Sequence, residues 1–125
     1  MSKVSYVFSR KMSKVRASHI LIKHALSRNP VSRRTNANTS GTTPADATAE
    51  LQAILDAITA GTANFEEVAR ARSDCSSYKQ NGDLGEFGKG DMQKPFEDAT
   101  YALKVGAISG IVSTDSGVHI IKRTA

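Results

Sequence analysis

The chain has 125 residues and a formal charge of +5, which is unevenly distributed. Residues 1–45 contain nine basic and no acidic side chains, whereas residues 46–125 contain eight basic and twelve acidic ones. The length indicates a single domain, and no apolar run approaches the roughly 20 residues that a membrane span needs. One cysteine excludes an internal disulfide and a cysteine-rich zinc site. The basic N-terminal part predicts an anionic partner, such as a phosphate, a nucleic acid, a membrane surface or an acidic protein.

Residues 1–13 are basic and contain no acidic side chain. They have no apolar stretch of the kind found in secretory signals. Their composition is faintly similar to that of a transit peptide, but we interpret them as a short flexible arm before a domain of residues 14–125. Because the chain has one cysteine and no secretory signal, we expect a reducing compartment, in the cytoplasm and the nucleus.

The first predicted element is a strand over residues 15–24, in which both alternating sets of side chains contain apolar residues. This pattern is typical of a central strand that is covered on both faces of the sheet. Residues 25–42 follow as a loop of small polar residues with three arginines. A loop of this length in a small domain is more often functional or disordered than incidental.

Two helices are predicted next. Thr43 is suited to cap a helix over residues 44–60, and Asn64 with Glu67 resembles a capping box before a second helix that runs to about Arg72. The first helix has one apolar stripe at helical spacing, formed by Leu51, Ile54, Leu55 and Ile58.

The second half of the chain is interrupted by glycines. We predict a short strand over residues 84–87, a short helix over 95–103, and a closing hairpin of strands 111–113 and 118–123. The order β-α-α-β-α-β-β indicates an α+β domain with a small antiparallel sheet.

The side chains that can carry acid–base or nucleophilic chemistry are His19, His24, Cys75, His119 and the pair Ser76 and Ser77. His19 and His119 lie on different predicted strands, which allows them to meet. A single strand histidine is more often structural, and a single cysteine is by default a small apolar residue. A hydrolase with a Cys/His pair is a weak interpretation, because no family signature surrounds Cys75.

The basic residues of the loop suggest a phosphate site. Lys23 is placed at the end of the predicted strand and Arg28 follows five residues later. Converging cations form a phosphate cradle, in which arginine can bind two oxygens at once. Nucleic acid is the competing anion, but only Tyr6 and Phe8 are available nearby to stack on bases.

Six sequence blocks, in this order, resemble those of the parvulin-type peptidyl-prolyl cis/trans isomerases. They begin at residues 14, 65, 73, 82, 92 and 114 and read KVRASHILIKH, FEEVA, SDCSS, GDLGEF, MQKPFEDA and TDSGVHII. Within the family the chain is similar to the Pin-type branch, which acts on phospho-Ser/Thr-Pro bonds. Cys75 stands where bacterial-type parvulins usually have Asp, and Lys23 and Arg28 match the phosphate-binding cations of that branch.

The resemblance implies the parvulin fold, a four-stranded antiparallel sheet surrounded by helices, and an isomerase that needs no metal or cofactor. It implies a polar centre beneath the substrate peptide, formed by His19, Cys75, Thr114, Ser116 and His119. The proline-binding residues that it implies are Leu84, Met92, Gln93 and Phe96. The phosphate-binding residues that it implies are Lys23 and Arg28, and we add Arg33 and Arg34 as reinforcement by hypothesis.

Two departures from the branch keep alternatives open. Asn29 stands where a second Arg usually follows the first, so an isomerase without phosphate preference is the nearest alternative. A non-catalytic phosphopeptide-binding module and a nucleic-acid-binding protein are the others. The chain has no Trp, so we expect no WW domain of the kind that many Pin-type enzymes carry.

The expected partners are proteins with phosphorylated Ser/Thr-Pro sites, with no obligatory nucleic acid and no membrane, and we expect a monomer.

Overall fold

A computed structural model describes residues 14–125, so the predicted arm of residues 1–13 lies outside the described residues. In chain order the elements are β1 (Val15–Ile22), α1 (Pro44–Thr59), α2 (Phe65–Arg72), a 3-10 helix (Ser76–Gln80), β2 (Asp83–Phe87), α3 (Lys94–Ala102), β3 (Val112–Thr114) and β4 (Gly117–Arg123). The predicted α+β order is confirmed, and the 3-10 helix is an element that the sequence did not predict. In the described part of the chain, no helix has the length and apolar character that crossing a membrane requires.

The four strands form one antiparallel sheet in the order β2-β1-β4-β3. The first strand therefore lies inside the sheet, between β2 and β4, as its two apolar faces predicted. In the β1–β4 ladder Leu21 is opposite His119 and His19 is opposite Ile121. Because side chains alternate between the faces of a strand, this register places His19 and His119 on the same face of the sheet.

Each face of the sheet has its own apolar core. On one face, β1 and β4 pack against α1 and α2 through Ile20, Ile22, Ala47, Leu51, Phe65, Ala69, Val118 and Ile120. On the other face, a smaller core packs against α3 through Val15, Ala17, Phe87, Phe96 and Ile121. Full burial of a large aliphatic or aromatic side chain contributes about 1.5–3 kcal/mol. The two cores hold β1 in place, and β1 carries the first candidate site residue.

The predicted helix caps are present. Thr43 Oγ1 accepts a hydrogen bond from the Asp46 backbone N–H at 3.0 Å, and Asn64 Oδ1 accepts one from the Glu67 N–H at 3.0 Å. A cap of this kind contributes about 1 kcal/mol. Both helices therefore begin where the sequence indicated.

The loop of residues 25–42 is joined by hydrogen bonds to the rest of the domain. The Arg28 backbone N–H donates to the Asp115 carbonyl at 2.6 Å, in the turn between β3 and β4. The Arg33 N–H donates to the Asp74 carbonyl at 2.8 Å, just before the 3-10 helix. These two bonds join Arg28 and Arg33 to the segments that carry Ser116 and Cys75.

Candidate active site

The two strand histidines are in direct contact. Their Nδ1 atoms are 2.9 Å apart, and the rings stack with centroids 5.1 Å apart. Both side chains are buried. In a bond between two imidazole nitrogens one must donate and the other accept, so the pair shares one proton along this contact. The structure thus joins His19 of β1 to His119 of β4.

His119 extends this contact into the turn before β4. Its Nε2 lies 2.7 Å from Thr114 Oγ1, which also accepts a hydrogen bond from the Ser116 N–H at 3.1 Å. Burial lowers the pKa of His119 well below its ordinary value, and the charge of His19 acts in the same direction. His119 is therefore neutral at pH 7, and it holds the turn in position.

Gln93 fixes the turn from the opposite side. Its Nε2 donates to Ser116 Oγ at 2.8 Å, and its Oε1 accepts from the Asp115 N–H at 2.9 Å. Both polar atoms of the Gln93 side-chain amide therefore have a hydrogen-bond partner. Gln93 precedes α3, so this pair of bonds couples the helix that carries Phe96 to the hairpin that carries His119.

An apolar cleft lies beside the histidines. Phe96 is buried, and its ring meets His19 and His119 nearly edge-on, with centroids 5.4 and 5.2 Å apart. Leu84 and Met92 complete the apolar wall of a cleft of about 260 Å³. We call it the proline cleft, because the family resemblance implies that these residues bind proline. Pockets for whole small molecules are commonly about 300–1,000 Å³. The proline cleft is smaller and suits one or two residues of a peptide.

A second cleft, of about 270 Å³, contains the cations, and we call it the cation cleft. It is lined by Leu21, Lys23, Arg28, Asn29, Arg33, Cys75, Ser76 and Ser116. Burial lowers the pKa of Lys23, and the nearby charge of Arg33 lowers it further. Among the described residues three cationic side chains and no carboxylate line this cleft, so its electrostatics favour an anion even when the Cys75 thiol is ionised.

Not every predicted site residue reaches a cleft. Arg34 is absent from the lining of both clefts, and its Nε is buried without a hydrogen-bond partner among residues 14–125. Conversely, Asp91 lines the proline cleft and Ser76 lines the cation cleft. The sequence indicated Ser76 only as one of a pair of serines that could carry chemistry. It did not indicate Asp91, because no motif distinguishes that residue from other loop residues.

The two clefts lie side by side. Arg28, Cys75 and Ser116 line both of them. A cluster of cations therefore lies directly beside an apolar site, with a thiol and a hydroxyl at the junction.

Comparison with known families identifies this architecture. Residues 19–125 match the family model described as "Rotamase: PPIC-type PPIASE domain". The chain belongs to the parvulin family. It is a peptidyl-prolyl cis-trans isomerase, and the family and fold that the sequence blocks suggested are confirmed.

Close relatives place this parvulin in the Pin type. It is 62% identical over 113 residues to the Arabidopsis thaliana peptidyl-prolyl cis-trans isomerase Pin1, covering 89% of this chain and 95% of the relative. It is 52% identical over 112 residues to the isomerase ESS1 of Saccharomyces cerevisiae, covering 88% and 65%.

Two solved structures have the same fold. The solution structure of TbPIN1 matches with a TM-score of 0.83 and 57% identity, over 90% of this chain and 98% of that one. The isomerase ESS1 from Candida albicans matches with a TM-score of 0.88 and 43% identity, over 92% and 64%.

The thiol at the junction of the parvulin's two clefts is acidic. Burial alone would raise the pKa of Cys75, but interactions with His19 and Ser77 outweigh it and lower the pKa to about 6. The Nε2 atom of His19 has no well-aligned hydrogen-bond partner among the described residues. We therefore attribute the effect of His19 mainly to the proximity of its charge. The thiolate is therefore the favoured form of Cys75 at pH 7.

This charge can be titrated directly, because Cys75 is the single cysteine of the chain. We expect the ultraviolet absorbance of the thiolate to rise with pH, with a midpoint near 6. In His19→Asn the midpoint should move up toward 9.0, the ordinary value for a thiol. His24→Asn is the matched control, because that buried histidine accepts a hydrogen bond from the Leu26 N–H, which an asparagine can also accept. A wild-type midpoint above 8, or an equal shift in both variants, would contradict the assignment.

Proposed function

We propose that this parvulin isomerises Ser/Thr-Pro bonds and prefers those in which the residue before proline is phosphorylated. The observation that carries the proposal is that Arg28, Cys75 and Ser116 line both clefts, so the two clefts are neighbours. In a substrate, the phosphorylated side chain and the proline ring belong to consecutive residues. A cation cleft next to an apolar cleft suits that pair of neighbours. The similarity to isomerases named Pin1 and ESS1 supports the same class of enzyme.

The chemistry makes modest demands on the site. Rotation about a peptide bond crosses a barrier of about 18–20 kcal/mol, and without catalysis an X–Pro bond exchanges over tens to hundreds of seconds. Rotation breaks no covalent bond and removes only amide resonance. The enzyme therefore has to bind the twisted amide more tightly than either planar form.

Each part of the site has a role in this differential binding. The wall of Leu84, Met92 and Phe96 holds the proline ring. Lys23 and Arg28 hold the phosphate, with Arg33 as a third cation in place of the missing arginine at Asn29. The hydrogen-bonded chain from His19 to Ser116 gives the twisting amide a preorganised polar surface. The two clefts hold the residues on both sides of the bond, which aligns the substrate for rotation about that bond.

Three matched peptides test the proposal. They carry phospho-Ser-Pro, Glu-Pro or Ala-Pro in otherwise identical sequences, and cis/trans exchange is followed by NMR. We expect kcat/KM to be highest for phospho-Ser-Pro, lower for Glu-Pro and lowest for Ala-Pro. Equal values for the three peptides would favour the alternative, a parvulin without phosphate preference.

A further inference from the structure

One buried carboxylate, that of Asp74, holds several residues that line the cation cleft. Asp74 Oδ2 accepts a hydrogen bond from the Lys23 backbone N–H at 2.9 Å. The Asp74 carbonyl accepts one from the Arg33 N–H, and the Asp74 N–H donates to the Leu21 carbonyl, both at 2.8 Å. Cys75 is the next residue in the chain. All four of these neighbours line the cation cleft, whereas Asp74 lies behind them and is buried.

Arg72 supplies the cationic partner of this carboxylate. Its Nη1 donates to Asp74 Oδ1 at 3.1 Å, and its Nε and Nη2 donate to the two oxygens of Glu50 on α1, at 2.5 and 3.0 Å. A guanidinium that binds both oxygens of a carboxylate is fixed in orientation as well as position. Among residues 14–125, no other side chain forms an ion pair with Asp74. A chain of contacts therefore runs from α1 through Arg72 and Asp74 to the cation cleft.

The Asp74 carboxylate affects both the position and the charge of Lys23. Burial and the charge of Arg33 lower the pKa of Lys23, and the charge of Asp74 acts against them. Removing one partner of a buried ion pair leaves the other charge without compensation. Without Arg72, the Asp74 carboxylate would turn toward water to be solvated. That rotation would take Oδ2 away from the Lys23 N–H.

We propose that Arg72 is a positioning residue for phosphate recognition, which acts through Asp74 on the backbone of the cation cleft. Arg72 lines neither cleft, so it has no direct contact with a substrate bound there. The inference rests on the proposed function, because the residues that it positions are the proposed phosphate ligands. Glu50 orients the guanidinium, and the guanidinium holds the carboxylate against the Lys23 N–H.

The expected effect is a selective loss of phosphopeptide binding. In Arg72→Met the cations of the cleft remain but are less well placed, so the loss should be smaller than on removal of the cations themselves. We expect it to correspond to about one charge-assisted hydrogen bond, or about ten-fold in kcat/KM for a phospho-Ser-Pro peptide. The loss should appear as a higher KM with kcat nearly unchanged. An Ala-Pro peptide, which carries no phosphate, should be affected less than two-fold.

The chain offers a matched control on the same helix. Lys122 Nζ lies 3.0 Å from Glu66 of α2, and the side chains are 29% and 39% exposed. The corresponding values for Arg72 and Glu50 are 30% and 43%. Neither Lys122 nor Glu66 lines a cleft. Lys122→Met therefore removes an ion pair of similar exposure away from the site, and Arg72→Lys tests rescue by a side chain that keeps the charge.

The experiment measures kcat and KM for matched phospho-Ser-Pro and Ala-Pro peptides in the wild type and the three variants. We expect Arg72→Met to lose selectivity through KM, Arg72→Lys to recover part of it, and Lys122→Met to keep the wild-type ratio. A merely structural role would lower the folded fraction, and so kcat, in equal proportion for both peptides. That result, or an equal loss of selectivity in Lys122→Met, would overturn the proposal.

Amide hydrogen exchange separates failure of this inference from failure of the proposed function. In Arg72→Met the Lys23 N–H should lose protection relative to the wild type and Lys122→Met, because its acceptor has moved. Unchanged protection at Lys23 would overturn the positioning role whatever the peptides show. Equal kcat/KM for the two peptides in the wild type would instead overturn the phosphate preference itself.

Discussion

Replacing Lys23 and Arg28 together with alanine is expected to reduce kcat/KM for the phospho-Ser-Pro peptide about 100-fold more than for the matched Ala-Pro peptide. Both side chains line the cation cleft, and the structure shows no carboxylate among the residues lining it. A hydrogen bond to a charged group contributes about 1.5–3 kcal/mol. Two such contacts made only by the phosphopeptide correspond to a factor of about 100 or more.

The variant needs two controls. Arg70→Ala with Lys104→Ala removes the same charge from exposed positions that line neither cleft, and it should leave the selectivity unchanged. Lys23 is buried and its Nζ donates to the Val31 carbonyl at 2.7 Å. Lys23→Gln, which keeps a donor of similar length, therefore separates loss of the charge from loss of folding. If phosphorylated and Ala-Pro peptides lose activity in equal proportion, the cation cleft is not a phosphate site.

Local sequence patterns predicted most of the fold. The two apolar faces of β1 indicated a central strand, and its position between β2 and β4 confirms this. Thr43 and Asn64 marked helix starts because a cap acts through backbone N–H groups only three residues away. Each of these features depends on interactions between residues close in sequence, or on the alternation of side chains between the two faces of a strand.

The geometry of the site depends on contacts between distant residues, which a single sequence does not encode visibly. The sequence could propose that His19 and His119 meet, but the strand register decides it. Arg33 and Arg34 were indistinguishable in the sequence. The hydrogen bond from the Arg33 N–H to the Asp74 carbonyl places Arg33 at the cation cleft, whereas Arg34 lines neither cleft. The position of Asp91 in the lining of the proline cleft could likewise not be predicted, because no sequence motif indicates which loop lines that cleft.

Gly82→Ala is expected to produce a large loss of stability and to displace His19. Gly82 has a φ of 88°, and a Cβ atom there would collide with the backbone oxygen of His19 and lie 3.0 Å from Ala69 Cβ. The Gly82 carbonyl also accepts the His19 N–H at 2.9 Å. An L-residue at positive φ costs about 1–2 kcal/mol, and overpacking against a rigid neighbour costs about 1–3 kcal/mol more.

Gly85→Ala separates these two contributions to the loss of stability. Gly85 has a φ of 75°, but an added Cβ would meet nothing within 4 Å. Gly85→Ala should therefore lose only the free energy of unfolding that an L-residue at positive φ costs. We expect Gly82→Ala to unfold at a lower urea concentration than Gly85→Ala, with a melting temperature lower by roughly 4 °C for each additional kcal/mol. Because the colliding atom belongs to the backbone of β1, relief requires that the strand move, and the contact between the two histidines must move with it. Equal stability of the two variants would show that β1 yields at this point, and His19 would then not be held in position by Gly82.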